Sequence, residues 1–339
     1  MITFYKTIFQ GKLDFGSQVT FDKVFKMAVH RLETYYKNDT IITEENFDHE
    51  DFSLEVPRTV GQLSEKFYRN TVDLIQYLAQ FAISGQVGCW MVENNVVLDC
   101  AIIEPESDKV VVQSFRKGKK LSNLEGKEVD AMKILSKVIN KYDKHSQAYE
   151  RRGHVNMLLK SYEDADYDYS KAIRLDPNNA EALVGRGRLY IMRKEWEKAI
   201  ADLDQATKKS IALQSVYWVA RRLKAECHIQ LKQWTEAAFD LRLFTRRKFA
   251  KDNINYLWRK HCLFKYGQVL TELDEYEKAI DAINESLSIS EGHGAVPKAE
   301  QLVRRGIAKQ KSGSSGFLSD WKEAADLGSN IAEELLLEN

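Results

Sequence analysis

Small residues recur at a fixed distance in the second half of the chain, and this repetition constrains the fold more than any other feature of the sequence. Three pairs are separated by 34 positions: Gly153 and Gly187, Ala165 and Ala199, Ala172 and Ala206. A period of this length is typical of repeat proteins, in which each period is one supersecondary unit and neighbouring units stack to bury a continuous core.

The residues within one period predict two antiparallel helices. Small side chains let the two helices approach closely, and large side chains beside them fill the remaining space. In the first period the small residues are Gly153, Ala165 and Ala172, and the large ones are Tyr149, Tyr162 and Tyr169. Pro177 then ends the second helix, because proline cannot continue a helix and disfavours helix in the preceding residue. Each period is therefore expected to be a helical hairpin.

The repetition continues with longer connections. Trp234 stands 38 residues after Trp196, and Tyr276 follows another 42 residues on. A last unit begins near Lys298. Upstream, residues 122–145 read as a leading half-repeat cap, and a helix from Ile331 to Leu337 is expected to close the other end of the array.

Residues 125–339 resemble the tetratricopeptide repeat family. The best match is the unit from Ser146 to Asn179, which has the family's signature residue type at seven of its eight positions, with Asn156 in place of a large aromatic residue. The seven are Tyr149, Gly153, Tyr162, Ala165, Tyr169, Ala172 and Pro177. The resemblance implies a mainly α protein: a right-handed α-solenoid of about five hairpins plus the leading half-repeat, with a smaller N-terminal α+β domain.

The resemblance also implies a concave groove, lined by the first helix of each unit, that binds an extended or helical segment of a protein partner. The residues at the family's groove positions are Gln147, Glu150, His154, Met157, Val184, Arg188, Ile191, Arg222, Glu226 and Ile229. Glu150, His154 and Val184 do not reproduce the lysine and asparagine set with which some members bind chaperone tails. An alternative is that the N-terminal domain or its linker fills part of this groove.

The first 121 residues have a different pattern and predict a separate α+β domain, with a half-repeat at 122–145 and the repeats at 146–339. Period-three and period-four apolar residues predict helices over 20–37 and 63–81. Alternating and β-branched residues predict strands near Gly11 and over 87–92, 96–103 and 110–115. We expect two helices on one face of a mostly antiparallel sheet.

Composition argues against several classes of function. Lys plus Arg and Asp plus Glu both number 50, so net charge attracts the chain neither to nucleic acid nor to an anionic membrane. The four cysteines are scattered, as expected of reduced thiols in the cytoplasm, and no stretch is apolar enough for a membrane span. Cys227-His228 and His261-Cys262 are adjacent pairs on helices and do not form natural chelates, so no metal or cofactor is expected.

Residues for catalysis are weakly indicated. The chain has no nucleophile elbow and no phosphate-binding loop. His30 and His49, the latter beside Asp48, Glu50 and Asp51, are the best acid or base candidates, and a structural role is the simpler interpretation. We expect no enzyme, with a small-ligand-binding or enzymatic N-terminal domain recruited by the repeats as the alternative.

A basic and aromatic connection at 242–260 is the remaining candidate site. It could bind an anion or RNA through salt-sensitive contacts, or its aromatic residues could pack between helices with the cations around them. The cations proposed for anion binding are Arg246, Arg247, Lys248, Arg259 and Lys260.

Overall fold

The computed structural model describes residues 3–37, 39–94, 96–107, 109–290, 292–294 and 296–338. The chain forms two compact units, residues 1–182 and 183–339, and each is described by itself. The chain is mainly helical, as predicted, and the sheet lies in the first unit.

The first unit contains a five-stranded antiparallel sheet in the order β2-β3-β1-β4-β5. The strands are β1 (Phe4–Asp14), β2 (Phe47–Asp48), β3 (Ser53–Ser64), β4 (Ser84–Glu93) and β5 (Val96–Ile103). Alternation within β1 places Phe9 and Leu13 in the core, where both are fully buried. The register of β1 against β3 shifts between Phe9 and Gly11, and Gly11 has a positive φ of 152°. A side chain at Gly11 would collide with the backbone of Gln86.

Two helices complete this core. They are α1 (Gln18–Arg31), continued by a π-helical turn over Leu32–Tyr36, and α2 (Glu65–Ala79). Ser17 caps α1 by accepting the Thr20 N–H, and Ser64 caps α2 by accepting the Phe67 N–H. The two predicted helices are therefore present, with ends that differ from the predicted bounds by one or two residues.

The strand predicted at residues 110–115 is wrong. Val110–Leu121 form a helix, α3, which packs against α4 (Glu128–Lys141). Val112, Phe115 and Gly118 are the buried residues of α3, at helical rather than alternating spacing. The predicted leading half-repeat is the second helix of a complete hairpin, in which Gly118 lies against Leu135.

The remaining helices pair in sequence order. The hairpins are α5 (Ser146–Leu158) with α6 (Tyr162–Leu175), α7 (Ala180–Met192) with α8 (Trp196–Lys209), α9 (Ser215–Gln230) with α10 (Trp234–Arg246), α11 (Arg259–Glu272) with α12 (Tyr276–Ser288), and α13 (Lys298–Lys311) with α14 (Phe317–Asp326). The helix α15 (Asn330–Leu337) follows, as predicted for the C-terminal cap.

Two local features repeat with the hairpins. A glycine on the first helix leaves room for a large residue of the second, as Gly153 does for Tyr169 and Gly187 does for Leu203. The turn between the helices contains a residue with positive φ, at Lys160, Lys194, Lys232 and Asp274. These positions are 34, 38 and 42 residues apart, which are the intervals that the sequence predicted.

Candidate functional site

The same arginine–aspartate ion pair joins the first and second helices in three of the hairpins. In the first unit, Arg152 donates from Nε and Nη2 to the two carboxylate oxygens of Asp168, at 2.9 and 2.7 Å. Arg186 and Asp202 form the same fork at 2.7 and 2.8 Å, and Arg305 and Asp320 do so at 2.9 and 2.6 Å. Bidentate pairs of this kind specify geometry as well as adding energy. We call this arrangement the hairpin clasp.

The clasp extends to the preceding hairpin. Arg152 also donates to Ser136 Oγ at 3.2 Å, and Arg305 donates to Asn284 Oδ1 at 2.7 Å, in both cases on the second helix of the hairpin before. In the hairpin of α9 and α10, Lys224 takes the corresponding position. Its Nζ lies 3.4 Å from Asp240 of α10 and 3.4 Å from Asp204 of the preceding helix α8. A single cation therefore joins its own hairpin to its predecessor.

The clasp residues were not recognised in the sequence, although their 16-residue spacing recurs from Arg152–Asp168 to Arg186–Asp202. Asn156, the departure from the family signature, is part of the clasp because its Nδ2 donates to Asp168 at 2.9 Å. Burial raises the pKa of Asp168, and the hydrogen bonds from Arg152 act in the opposite direction.

Four predicted groove residues lie in the first unit, on α5. Glu150 is buried and its carboxylate lies 3.0 Å from Arg151 Nε. Gln147, His154 and Met157 are half-buried, and Met157 packs against the core that contains Tyr149 and Tyr169. The accessible surface of α5 therefore combines polar and apolar side chains.

The other six lie in the second unit. Val184 is buried, Arg188 is exposed and Ile191 is half-buried on α7. Glu226 and Ile229 are half-buried on α9. Val184 thus contributes to packing, whereas Arg188, Ile191, Glu226 and Ile229 have accessible surface.

Arg222 has a different environment from the one predicted. It is only 6% exposed, its guanidinium carbon lies 3.7 Å from the centre of the Trp258 ring, and its Nη1 donates to Glu226 at 2.8 Å. Stacking on tryptophan suits a guanidinium because the ring face is electron-rich. Arg222 therefore packs against the inner face of the Trp258 ring. Its side chain has too little exposed surface to contact a partner.

Trp258 gains further contacts from two histidines. The rings of His261 and His293 lie 5.8 and 5.5 Å from that of Trp258. Burial lowers the pKa of His261 to about 4, so this histidine is neutral at physiological pH. The half-buried indole of Trp258, held by Arg222 and flanked by neutral His261, is an aromatic surface beside Glu226 that sequence reasoning did not find.

The predicted basic site divides into two groups. Arg246, Arg247 and Lys248 are exposed where α10 ends. Arg259 instead donates to the carbonyl oxygens of Thr245 and Arg247 and to Glu285, which makes it a structural residue. Lys260 is half-buried, and its carbonyl oxygen accepts a hydrogen bond from Ser286 Oγ.

The candidates for catalysis have structural contacts. His49 packs edge-on against Phe21 and Phe25, at 4.9 and 5.0 Å, and His30 lies beside Tyr35 on α1. Burial raises the pKa of Cys227 to about 12 and also raises that of Cys262, so both thiols stay protonated. Among the residues that the structure describes, no cluster of three or more metal-ligating side chains occurs.

Comparison with known proteins addresses the hairpins directly. Two tetratricopeptide repeat models match, one over residues 146–179 and 261–293 and the other over residues 169–201. The hairpins within residues 146–201 and 261–293 match tetratricopeptide repeat models. The match over residues 146–179 has the same bounds as the unit predicted from the sequence. Proteins of this family are in general non-enzymatic scaffolds that bind proteins or peptides.

Solved structures share this tetratricopeptide repeat fold. Pseudomonas aeruginosa PilF matches with a TM-score of 0.54 and 17% identity, over 68% of this chain and 100% of PilF. YrrB, described as a tetratricopeptide repeat protein with an unusual peptide-binding site, matches with a TM-score of 0.51 and 17% identity, over 59% of this chain and 96% of YrrB. Within the described part of the chain, every helix is too short or too polar to cross a bilayer.

Proposed function

We propose that this tetratricopeptide repeat protein is an adaptor that binds an extended or helical segment of a protein partner on the first-helix surface of its second unit. The contact residues are Arg188, Ile191, Glu226 and Ile229, with Trp258 as the aromatic anchor. The observation that carries this proposal is the stacking of Trp258 on the buried Arg222, which fixes an indole beside accessible charged and apolar side chains.

The chemistry of this surface suggests the kind of segment that binds it. Tryptophan and arginine are enriched among the residues that dominate binding energy at protein interfaces, and they act best when they are held rigidly. Exposed Arg188 and half-buried Glu226 offer opposite charges, and Ile191 and Ile229 offer apolar surface. A segment with mixed charge and an apolar residue facing Trp258 fits this set.

The corresponding residues of α5 are a second, separate part of the proposal. Gln147, His154 and Met157 are half-buried on α5, the first helix of its hairpin. They are proposed as partner contacts by the same reasoning, whereas Glu150 and Val184 are too buried to contribute much contact area.

Peptides selected from a display library against the full chain test this function. Affinities are measured by fluorescence polarisation for the wild type, for Arg188→Glu and for the matched charge reversal Arg174→Glu, an exposed arginine on the second helix α6. Arg188→Glu should weaken binding at least tenfold and Arg174→Glu less than twofold. Equal affinities for all three proteins would contradict the assigned surface.

Anion binding by Arg246, Arg247 and Lys248 is a second candidate, favoured by three consecutive exposed cations. Contacts of this kind weaken steeply as salt rises, because bound counterions are released. Titration with a fluorescent single-stranded RNA between 50 and 200 mM salt, with the triple alanine variant as control, distinguishes this function. Binding that is independent of salt, or unchanged in the variant, would exclude it.

A further inference from the structure

The strand β5 forms one edge of the sheet in the first unit. It pairs with β4 only, and no described strand lies on its other side. In an antiparallel pair the backbone groups of successive residues point alternately to the two sides of a strand. The Cys100 N–H donates to the side chain of Asp99 at 2.9 Å, which indicates that the backbone groups of Cys100, and by alternation those of Ile102, point to the outer side of β5.

A groove runs beside this edge. It has a volume of about 440 Å³ and lies between α2 and β5. Arg69, Asp73 and Gln76 of α2 line one side, and residues 99–102 of β5 line the other. A groove between a helix and a free strand edge is the arrangement in which an extended peptide adds to a sheet by backbone hydrogen bonds.

The two faces of β5 differ in chemistry. Asp99 lies on the same face as Ala101, which packs in the core beneath the helices, so its carboxylate is on the α2 side. Ile102 lies on the opposite face and is 47% exposed. An added strand would therefore have carboxylates along one face and apolar surface along the other.

The charge of the groove is negative. Arg69 is neutralised by Glu65, to which it donates from Nε at 2.9 Å and from Nη2 at 2.7 Å. Asp73 and Asp99 interact with Arg69 only through their charges, and the Asp99 carboxylate also accepts the adjacent Cys100 N–H. A second copy of the chain paired through β5 would bring two sets of these carboxylates together, which is unfavourable. A basic occupant is therefore favoured over self-association.

We propose that β5 and α2 bind an extended segment of a partner protein in which basic and apolar residues alternate. Its backbone extends the sheet at the outer edge of β5, its basic side chains face Asp73 and Asp99, and its apolar side chains pack beside Ile102. A carbonyl oxygen of the segment replaces the Asp99 carboxylate on the Cys100 N–H, which frees that carboxylate for a cation. This site is independent of the repeat surface proposed above.

The probe is a fluorescein-labelled octapeptide that alternates lysine and valine, titrated against the full chain. It should bind at least tenfold more tightly than a block peptide of the same composition, because only alternation matches the two faces. Methylation of alternate backbone nitrogens should abolish binding. Equal binding of the alternating and block peptides would overturn the proposal, since it would show electrostatic attraction without strand pairing.

Two variants locate the site. Cys100→Pro removes an outward N–H while leaving the bonds to β4, a position at which an edge strand tolerates proline. Asp73→Lys reverses an exposed charge on α2, and Asp22→Lys, on the exposed side of α1, is its matched control. Both Cys100→Pro and Asp73→Lys should weaken binding at least tenfold, and Asp22→Lys less than twofold.

If Cys100→Pro does not fold, Asp73→Lys alone tests the proposal. An affinity of Asp73→Lys for the alternating peptide equal to that of the wild type would then overturn it. Sedimentation of the wild type tests the competing occupant. A concentration-dependent dimer that Asp73→Lys alters would assign the edge to a second copy of the chain and would also overturn the proposal.

Discussion

The guanidinium of Arg222 stacks on the indole of Trp258 at 3.7 Å, across 36 residues of sequence and from the first helix of one hairpin to the residue that precedes the first helix of the next. Arg222 was expected to contact a partner, and it instead supports Trp258, the residue that we propose as the aromatic anchor. The lengthened connection between α10 and α11 therefore places an aromatic side chain on the first-helix surface.

Loss of this stacking should affect both stability and binding. Trp258→Leu leaves the buried guanidinium without its aromatic partner, and a desolvated cation–π contact contributes about 2 kcal/mol. The expected result is a decrease of about that size in the free energy of unfolding, measured with urea, and at least a tenfold loss of affinity for selected peptides. Trp234→Leu, at a half-buried position in α10, should reduce stability without changing affinity.

Removal of one clasp residue should destabilise the second unit. Asp202→Ala leaves Arg186 without its carboxylate. Breaking a fully buried pair costs about 3 to 5 kcal/mol, and because Arg186 is partly exposed we expect the lower end, about 3 kcal/mol. The hairpin of α11 and α12 has Tyr266 and Ala282 at the corresponding positions, so an apolar pair is tolerated there. The double variant Arg186→Tyr with Asp202→Ala should therefore recover at least half of the loss in urea unfolding. A double variant less stable than Asp202→Ala would show that the ion pair is not replaceable.

Acid should destabilise the first unit through His145. This ring is fully buried against Phe115, its Nδ1 accepts the Ala148 N–H, and burial lowers its pKa from 6.5 to about 3. The unfolded chain then binds a proton that the folded chain does not, so stability falls as pH falls from 6.5 towards 3, by up to about 1.4 kcal/mol per pH unit.

His145→Asn is the matched variant for this pH dependence, since asparagine also caps a helix but does not titrate. The difference in unfolding free energy between wild type and variant, followed by circular dichroism at pH 7.0, 5.5 and 4.5, should shrink as pH falls. A difference that is constant with pH would contradict the assignment.

A larger side chain at Gly118 should separate α3 from α4. A Cβ there would lie 2.8 Å from Leu135 Cδ2 and 2.9 Å from Leu135 Cγ, closer than packed side chains allow. Gly118→Val is expected to lower thermal stability, with overpacking that costs about 1 to 3 kcal/mol. Lys117→Val, on the exposed side of the same helix, serves as the control and should change stability little.

The sequence predicted the repeats well because their packing is local. Gly153, Ala165 and Ala172 contact the partner helix of the same hairpin, so their spacing in the chain reflects their spacing in the fold. Gly118, 35 residues before Gly153, carried the same signal for α3. The run of valines at 110–112 obscured it, since β-branched residues favour strands unless tertiary packing decides otherwise.

The β-sheet and the surface around Trp258 were harder to predict, because both depend on contacts between segments that are distant in the sequence. β3 was missed because Pro57 and Gly61 interrupt its pattern, although it pairs with β1 over nearly its whole length. The stacking of Trp258 on Arg222 depends on the path of an irregular connection. No periodic pattern encodes that path, so burial of Arg222 could not be inferred from its groove position.

Hydrogen–deuterium exchange with a bound, display-selected peptide tests the adaptor proposal most directly. Amides of the second unit are compared with and without the peptide at saturating concentration. Added protection is expected in the first helices, α7 and α9, and around Trp258, with little change in the second helices α8 and α10. Protection confined to α8 and α10, with none near Trp258, would contradict it.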